Sequence, residues 1–559
     1  MNEVRYMSEG FLSQKSGLRT ALNWLFLVSG TALAGLLSVK GSLVWVAAGI
    51  LLALATLVFL TFRYRFLERT FSTFIRWQAA ASAVLAVYGA FCYGDIFYYH
   101  LQSLVAEISS SALTGLVGRF GLLFTAVAAI VSIPALFVYL YWFIGWFSAR
   151  MREVFHASDR VERWYLVIAF VLFAVAITLV YSKTNVFYAA NASSDNVWDK
   201  IDIVYSSDSS MLTEQNVFYN IAASENDIRQ PLFGAFAAPF ALATSLLSRA
   251  IPAANAYPTM MQVLQGALLA LSLVLVVRLT GAKGAIKALL LALFSLLYPT
   301  MLFLLNVEQY IFSVFWLILL VWMLAEGGER GKDTAWVAAA GSTLTSGIFL
   351  LLLPERGTVK EKIKQGALAV LQFALFMILL GRVAMVLSSG ESIRFIMQFA
   401  GEKLPFVARA MQYSAFVSSC LIAPVTEITR YVNGVMVYQQ AAITQWSVFG
   451  IVCFAAAIAG FFMNRKSRYA QICAGWVAFS VLLLCLVGWG TSENALVLYS
   501  LYFSWAFISL IIMLIMRVFE KLRPVQIGVF SVATVVLAVV NAQAIMDLIR
   551  FGLEYYPRG

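Results

Sequence analysis

Long apolar segments with almost no charge recur along most of this chain and leave few folds open to it. Thirteen segments are long enough to cross a hydrocarbon core of about 30 Å as helices: 20–38, 42–62, 73–93, 119–147, 163–182, 257–279, 285–304, 309–325, 367–387, 440–463, 469–489, 496–516 and 525–546. They are continuously apolar rather than alternating, which argues against the strands of a β-barrel. The sequence therefore predicts an all-α, polytopic transmembrane helical bundle.

Charge and composition narrow the class of function. Only 12% of the residues are charged, about half the share found in soluble domains. The formal net charge is +11, but the basic residues sit mostly in short loops between spans, as topology signals and lipid contacts do. We therefore expect membrane lipid, and not nucleic acid, as a partner. Five cysteines without paired spacing and two histidines argue against a disulfide framework, a zinc site and a Ser-His-Asp triad.

The positions of the basic loops predict the topology. Two early loops are cytoplasmic by this rule, and they carry Arg63, Arg65, Arg69 and Arg76, then Arg150, Arg152, Arg160 and Arg163. Segment 163–182 then leads outward to an acidic loop. If the Pro-containing stretch 231–250 crossed the membrane, Arg278, Lys283 and Lys287 would lie outside. We therefore expect 231–250 to lie on the outer surface or to dip in, which keeps these basic residues inside.

The same rule applies to stretch 334–353, which Gly341-Ser342-Thr343-Leu344-Thr345 interrupts. As a re-entrant hairpin it keeps the basic residues on both flanks cytoplasmic. Its non-helical tip at membrane depth would have to be buried in protein or line a cavity, so the tip is a candidate site. We divide the chain into an accessory four-span bundle, 1–150, and a working module, 151–559. The module has outer loops 183–256 and 389–438, the latter expected to form amphipathic outer juxtamembrane helices.

Short motifs in the outer loops suggest a chemistry. The acidic loop contains Val204-Tyr205-Ser206-Ser207-Asp208-Ser209-Ser210, followed by Arg229-Gln230-Pro231-Leu232-Phe233. The next outer turn is Asn306-Val307-Glu308-Gln309-Tyr310, and a late one is Trp489-Gly490-Thr491-Ser492-Glu493-Asn494. This order of parts over 163–516 resembles the GT-C class of membrane glycosyltransferases. The chain departs from many members in having Gln230 before Pro231 and no Lys at the hairpin tip.

The resemblance implies a polyprenyl-phosphate-linked sugar as donor and an extracytoplasmic envelope glycan, glycolipid or protein as acceptor. It implies Asp208 as the catalytic base, with Asp195, Asp199 and Asp202 as rivals, and Glu308 as a second catalytic acid. The phosphate leaving group needs cations or hydroxyls, and the substrate-binding candidates are Arg229, Thr343, Thr345, Arg409 and Glu493. Arg394, Lys403 and Arg430 are further outer cations. The simplest scheme is an inverting displacement; a retaining one would use Glu308 as nucleophile.

Several alternatives stay open at this stage. Asp208 and Glu308 also suit ordinary helix starts, and Thr343 and Thr345 suit backbone hydrogen bonds in a membrane helix. The cofactor is unknown, and a divalent cation in the acidic loop is neither required nor excluded. The competing functions are a lipid-linked saccharide flippase or other secondary transporter, and a non-catalytic scaffold. We expect a bacterial cytoplasmic membrane location with an extracytoplasmic active face.

Overall fold

The computed structural model describes residues 16–38, 43–108, 111–188, 203–205, 207, 209–214, 216–220, 229–326, 331–353, 358–382, 405–430, 436–441, 447–490 and 496–558. Most of these residues are helical, and the described part also contains one two-stranded sheet. Ten helices in the described part are long and apolar enough to cross a membrane, or eleven if one bent pair counts as a span. The prediction of an all-α polytopic membrane protein is confirmed at this level.

The contacts divide the chain into two compact units, one formed by 1–157, 217–250 and 340–392 and the other by 158–216, 251–339 and 393–559. The first unit contains α1 (Ser16–Leu37), α2 (Leu43–Val58), α3 (Phe66–Thr70), α4 (Arg76–Ile108), α5 (Ser111–His156), α8 (Phe233–Ser248) and α14 (Val359–Leu379). Besides the four leading spans, it thus includes two segments that the sequence-based division assigns to the working module. The roles assigned to the two modules stay predictions.

The second unit holds most of the remaining elements. These are α6 (Arg160–Tyr181), α7 (Ser209–Glu214), α9 (Ala256–Leu279), α10 (Gly284–Ser295), α11 (Tyr298–Leu305), α12 (Tyr310–Glu326), α15 (Phe406–Ser419), β1 (Thr426–Arg430), β2 (Met436–Gln440), α16 (Ser447–Met463), α17 (Arg468–Ser480), α18 (Ser500–Val518) and α19 (Arg523–Tyr555). One helix belongs to both units: α13 (Lys332–Ser342) begins in the second unit and ends in the first.

Helix α8 is the Pro-containing stretch whose crossing was in question. Twelve of its sixteen residues are buried, so it packs largely against other parts of the protein, and its position relative to the membrane stays a prediction. Tyr139 of α5 donates to the Ala235 carbonyl at 2.6 Å, and the Tyr88 and Ser245 hydroxyls are 2.8 Å apart. At about 1.5 Å per residue, sixteen residues give about 24 Å, less than a full hydrocarbon core.

An ion-pair cluster joins α6, α9 and α10 at one end of the second unit. Glu162 is 1% exposed, and Arg278 donates to both of its oxygens, at 2.6 and 3.2 Å. Lys287 bonds Glu162 at 2.9 Å and Asp159 at 2.5 Å. Partial burial opposes ionisation of Asp159, but hydrogen bonds from Lys287 and from backbone amides lower its pKa below the usual range. Arg278 and Lys287 therefore share a side with Arg160 and Arg163, as a non-crossing 231–250 requires.

The bent pair of helices is α10 and α11, which meet at an angle of 57°. The break frees backbone groups in an apolar setting, where an unsatisfied group is costly. Asn541 of α19 compensates: its amide donates to the carbonyls of Leu296 and Leu421 at 2.7 and 2.8 Å, and its oxygen accepts from the Ala423 amide at 3.0 Å. One fully buried side chain thus holds the break in place.

Some predicted boundaries and elements need correction. Predicted spans 309–325 and 440–463 correspond to α12 and α16, which have 17 residues each and are not among the ten candidate spans. Two of those ten are α2 and α17, which become long enough because π-helical turns, Phe59–Arg63 and Val481–Val487, continue them. The start at 440 is wrong, because strand β2 ends there. The described part of outer loop 389–438 contains α15 but also the antiparallel pair β1 and β2, where only amphipathic helices were expected.

Candidate functional site

The candidate site lies at the end of the second unit opposite the ion-pair cluster. The two ends are separated by the length of α6, about 33 Å for its 22 residues. Here the Tyr181 hydroxyl donates to the Leu305 carbonyl at 2.5 Å, and the Val307 amide donates to the Phe187 carbonyl at 3.1 Å. These bonds fix residues 306–309, called here the 306 turn, against the start of the acidic loop.

Two serines fasten the acidic loop to the 306 turn. Ser209 donates to the side-chain oxygen of Asn306 at 3.1 Å, and the hydroxyls of Ser207 and Ser209 are 3.1 Å apart. Both serines are buried, and Asn306 is fully buried. Asp208, the predicted base, lies outside the described residues. Its two sequence neighbours nevertheless sit at the turn that carries Glu308.

Glu308 is buried, with only 1% of its surface exposed. One of its carboxylate oxygens accepts from the Gln309 amide at 3.3 Å, immediately before α12 begins at Tyr310. A carboxylate is favoured at a helix N-terminus. An acid that only starts a helix at the membrane surface would be exposed to water, because burying a carboxylate costs free energy unless other groups bind it. The burial of Glu308 is therefore more than a helix start requires. Glu308 is thus held inside the protein next to the loop that carries Asp208 in sequence.

Two buried glutamines of α9 support the backbone that leads into the 306 turn. Gln262 donates to the carbonyls of Phe303 and Leu304 at 2.6 and 2.9 Å, and Gln265 donates to Gln262 at 3.3 Å. The sequence reasoning missed this pair, although two glutamines spaced i, i+3 in an apolar span are a readable signal.

The 306 turn also has unmet hydrogen-bonding capacity. In the described part of the chain, the Asn306 amide nitrogen and the Gln309 side-chain oxygen are buried without a hydrogen-bond partner. Each such atom costs roughly 1–3 kcal/mol. One donor and one acceptor are thus unsatisfied in this turn, and both are shielded from solvent.

A strained tyrosine positions the start of the serine segment. Tyr205 has a backbone φ of +54°, a conformation that costs energy for a residue with a Cβ. It is held by a 2.5 Å contact between its hydroxyl and that of Tyr298, and by backbone bonds of 203–205 with Tyr438 of β2, at 2.8 and 3.0 Å. Burial raises the pKa of the Tyr205 phenol well above its ordinary value, so the phenol is protonated at neutral pH.

In the first unit, the structure brings Arg229 to the predicted break at 341–345. Helix α13 ends at Ser342, and a 3-10 helix, Leu344–Leu352, follows. The Arg229 carbonyl accepts from the Leu344 amide and the Gly341 carbonyl accepts from the Leu232 amide, both at 2.8 Å. Thr343 donates to the Ser342 carbonyl at 2.8 Å, and Thr345 is half-buried in the 3-10 helix.

We expect Gly341→Ala to damage this junction. A Cβ at Gly341 would lie 2.5 Å from the Leu232 Cβ, and Leu232 cannot retreat without breaking its bond to the Gly341 carbonyl. Overpacking of this kind costs about 1–3 kcal/mol, which thermal unfolding followed by fluorescence should detect. Gly366→Ala in α14 is the control, because a Cβ there meets nothing within 4 Å. Equal stability of both variants would show that Leu232 is not tightly held.

The remaining candidates divide between described and undescribed residues. Arg409 of α15 is half-buried and donates to the Leu486 carbonyl at 2.7 Å. Nearby in sequence, the Trp489 indole donates to the Tyr499 hydroxyl at 3.0 Å. Glu493, Arg394 and Lys403 lie outside the described residues, as does the side chain of Arg430.

Neither metal ligands nor known relatives identify this site. Among the residues that the structure describes, no group of three or more His, Cys, Asp or Glu side chains could hold a metal ion. The rival acids Asp195, Asp199 and Asp202 lie outside that part of the chain. No protein-family model, curated protein or solved structure matches the chain at a significant level.

Proposed function

We propose that this chain is a GT-C-type membrane glycosyltransferase that moves a sugar from a polyprenyl-phosphate donor to an extracytoplasmic glycan, glycolipid or protein. In this proposal about thirteen segments span a bacterial cytoplasmic membrane, with α16 in place of the predicted segment 440–463, and 334–353 is a re-entrant hairpin. The observation that supports it most directly is the bond between Ser209 and Asn306. It joins the loop that carries Asp208 to the turn that carries the buried Glu308. This contact lies at the end of α6 opposite the ion-pair cluster.

The proposed reaction is a single inverting displacement. The Asp208 carboxylate takes the proton from an acceptor hydroxyl, whose oxygen attacks the anomeric carbon of the donor sugar. The bond from that carbon to the phosphate oxygen breaks, and polyprenyl phosphate leaves with the electron pair. Positive charge near this phosphate lowers the barrier. Of the cations that the sequence analysis assigns to this task, Arg409 is the one that lies in the described part of the second unit. Roles in phosphate binding for Arg229, Thr343, Thr345 and Glu493 stay predictions.

The open polar atoms of the 306 turn fit this substrate class. The unpartnered Asn306 amide donates and the unpartnered Gln309 oxygen accepts, and a sugar hydroxyl can do both. Glu308 would then orient the acceptor or shape the site. A site built to bond hydroxyl groups discriminates strongly against analogues that lack them.

A lipid-linked saccharide flippase or other secondary transporter is the second candidate. The 57° break between α10 and α11 favours it, because transporters often build their binding sites at discontinuous helices. In this protein, however, Asn541 already satisfies the broken backbone, so the break needs no substrate to explain it.

The test is a direct assay of wild-type protein in proteoliposomes with radiolabelled polyprenyl-phosphate sugars and extracted envelope acceptors. Transfer of label to acceptor that depends on the protein supports the enzyme. Movement of a fluorescent donor lipid across the bilayer, without transfer from any donor tested, would replace it with the transporter. Protein-free liposomes control for spontaneous movement and hydrolysis.

A further inference from the structure

A groove at the basic end of the second unit is separate from the candidate site. It has a volume of about 590 Å³ and is lined by Ser158, Asp159, Arg160, Arg163, Trp164 and Val167. It opens where the chain enters α6, whose Glu162 amide is already capped by the Asp159 side chain. The cationic groups that the lining offers to a ligand are the guanidinium groups of Arg160 and Arg163.

The groove has a net positive charge. Arg160 and Arg163 are exposed, and neither forms an ion pair within the described part of the chain. The two acids beside them are neutralised from the other side, Asp159 by Lys287 and Glu162 by Arg278 and Lys287. Two guanidinium groups spaced i, i+3 thus face the groove without a compensating carboxylate.

The groove continues into an apolar helix face. Trp164 is 58% exposed and Val167 is 57% exposed. Further along α6 the exposed large apolar side chains include Ile168, Val171 and Val175. Only 17% of the residues in the most apolar stretch of α6 are buried in the protein. A tryptophan between exposed arginines and a long apolar face is typical of the boundary between headgroups and acyl chains.

We propose that this groove is a binding site for one anionic phospholipid of the adjacent leaflet. The lipid phosphate lies between the Arg160 and Arg163 guanidinium groups, which match its charge and its oxygen acceptors. Its glycerol backbone packs against the Trp164 ring, and its acyl chains run along the exposed face of α6. The same residues would repel a cationic ligand, and a soluble anion would leave the apolar face uncovered.

The site also explains why the ion-pair cluster is buried at this end. Lys287 and Arg278 hold Asp159 and Glu162 on the inner side of α6. Without these partners the two carboxylates would compete for Arg160 and Arg163 and weaken their hold on a phosphate. The cluster therefore acts as a positioning element for the groove.

The experiment measures retained lipid in the full-length protein. Protein is exchanged into detergent micelles containing phosphatidylcholine and increasing fractions of phosphatidylglycerol, and the bound lipid is counted by native mass spectrometry. We expect one tightly retained phosphatidylglycerol in the wild type. Arg160→Gln/Arg163→Gln should weaken its apparent affinity by about 30-fold, the loss expected for two basic contacts with an anionic lipid.

Matched variants separate this site from general surface charge. Arg465→Gln/Lys466→Gln removes the same charge from an exposed loop of the same unit and should leave retention unchanged. Arg160→Lys/Arg163→Lys keeps the charge and should retain most of the affinity. Equal loss in the two Gln variants, or equal retention of phosphatidylcholine and phosphatidylglycerol by the wild type, would overturn the proposal. Unchanged elution volume and unfolding temperature show that each variant is folded.

Discussion

Asp208→Asn is expected to lower sugar transfer by about 10²–10⁴-fold, the usual contribution of a general base, while leaving the protein folded. The amide has almost the same size as the carboxylate but cannot take the proton from the acceptor hydroxyl. The contacts that seat the loop come from Ser207, Ser209 and Asn306, and none of them requires the Asp208 carboxylate. Donor binding should therefore survive the change.

The measurement is the single-turnover rate of transfer in proteoliposomes, with donor binding measured separately. Asp202→Asn is the matched control, because it removes an equal charge from the same acidic loop. Loss with Asp208→Asn alone supports Asp208 as the base. Loss with Asp202→Asn alone moves the base to Asp202 and keeps the enzyme. Full activity in both variants would exclude Asp208 and Asp202 as the base and leave Asp195 and Asp199 as the candidates in this loop.

Asn306→Ala tests the attachment of the loop rather than the base. It removes the acceptor of the Ser209 hydroxyl, and in a buried setting such a loss costs about 1–3 kcal/mol. A base displaced by about 1 Å can cost around a hundredfold in rate. We expect Asn306→Ala to slow transfer without changing its pH dependence, whereas a variant that replaces the base changes both.

The membrane helices could be predicted because hydropathy depends on each segment alone. The predicted spans 163–182 and 257–279 agree closely with α6, Arg160–Tyr181, and α9, Ala256–Leu279. The break at Thr343 was also predictable from the segment itself, because a run of small and hydroxyl residues is a poor helix former. The placement of Arg278 and Arg163 at the same end of the second unit was predictable because loops rich in Lys and Arg are expected on one side of a membrane.

Features that depend on distant partners could not be read from the sequence. The bridge from β2 to Val204 joins segments far apart in the chain. The hairpin of β1 and β2 itself had a local signal that was missed, Asn433-Gly434 between two runs rich in β-branched residues. The burial of α8 depends on the helices around it and not on its own composition. In the candidate site, Glu308 was chosen from sequence, but its burial and the anchoring role of Asn306 required the packed structure.

Gly460→Ala is expected to destabilise the second unit by about 1–3 kcal/mol or more, as overpacking in a close-packed interior does. Helix α16 approaches α18 so closely at Gly460 that an added Cβ would overlap the Leu510 carbonyl oxygen and lie 2.8 Å from its carbon. Those atoms are helical backbone and cannot rotate away as a side chain can. The helices would have to separate and lose contacts along their length, because small residues are what allow membrane helices this proximity.

A second glycine and a matched control sharpen this prediction. Gly450 of the same helix meets the Ser414 carbonyl of α15 in the same way, so Gly450→Ala should be similarly harmful. Gly475→Ala in α17 places its Cβ where nothing lies within 4 Å, and the gain in helix propensity should make it neutral or stabilising by up to about 1 kcal/mol. The readout is the unfolding midpoint in mixed micelles titrated with a denaturing detergent. If all three variants unfold at the same midpoint, α16 is not packed against α15 and α18 at backbone distance, and the close approach at both glycines is wrong.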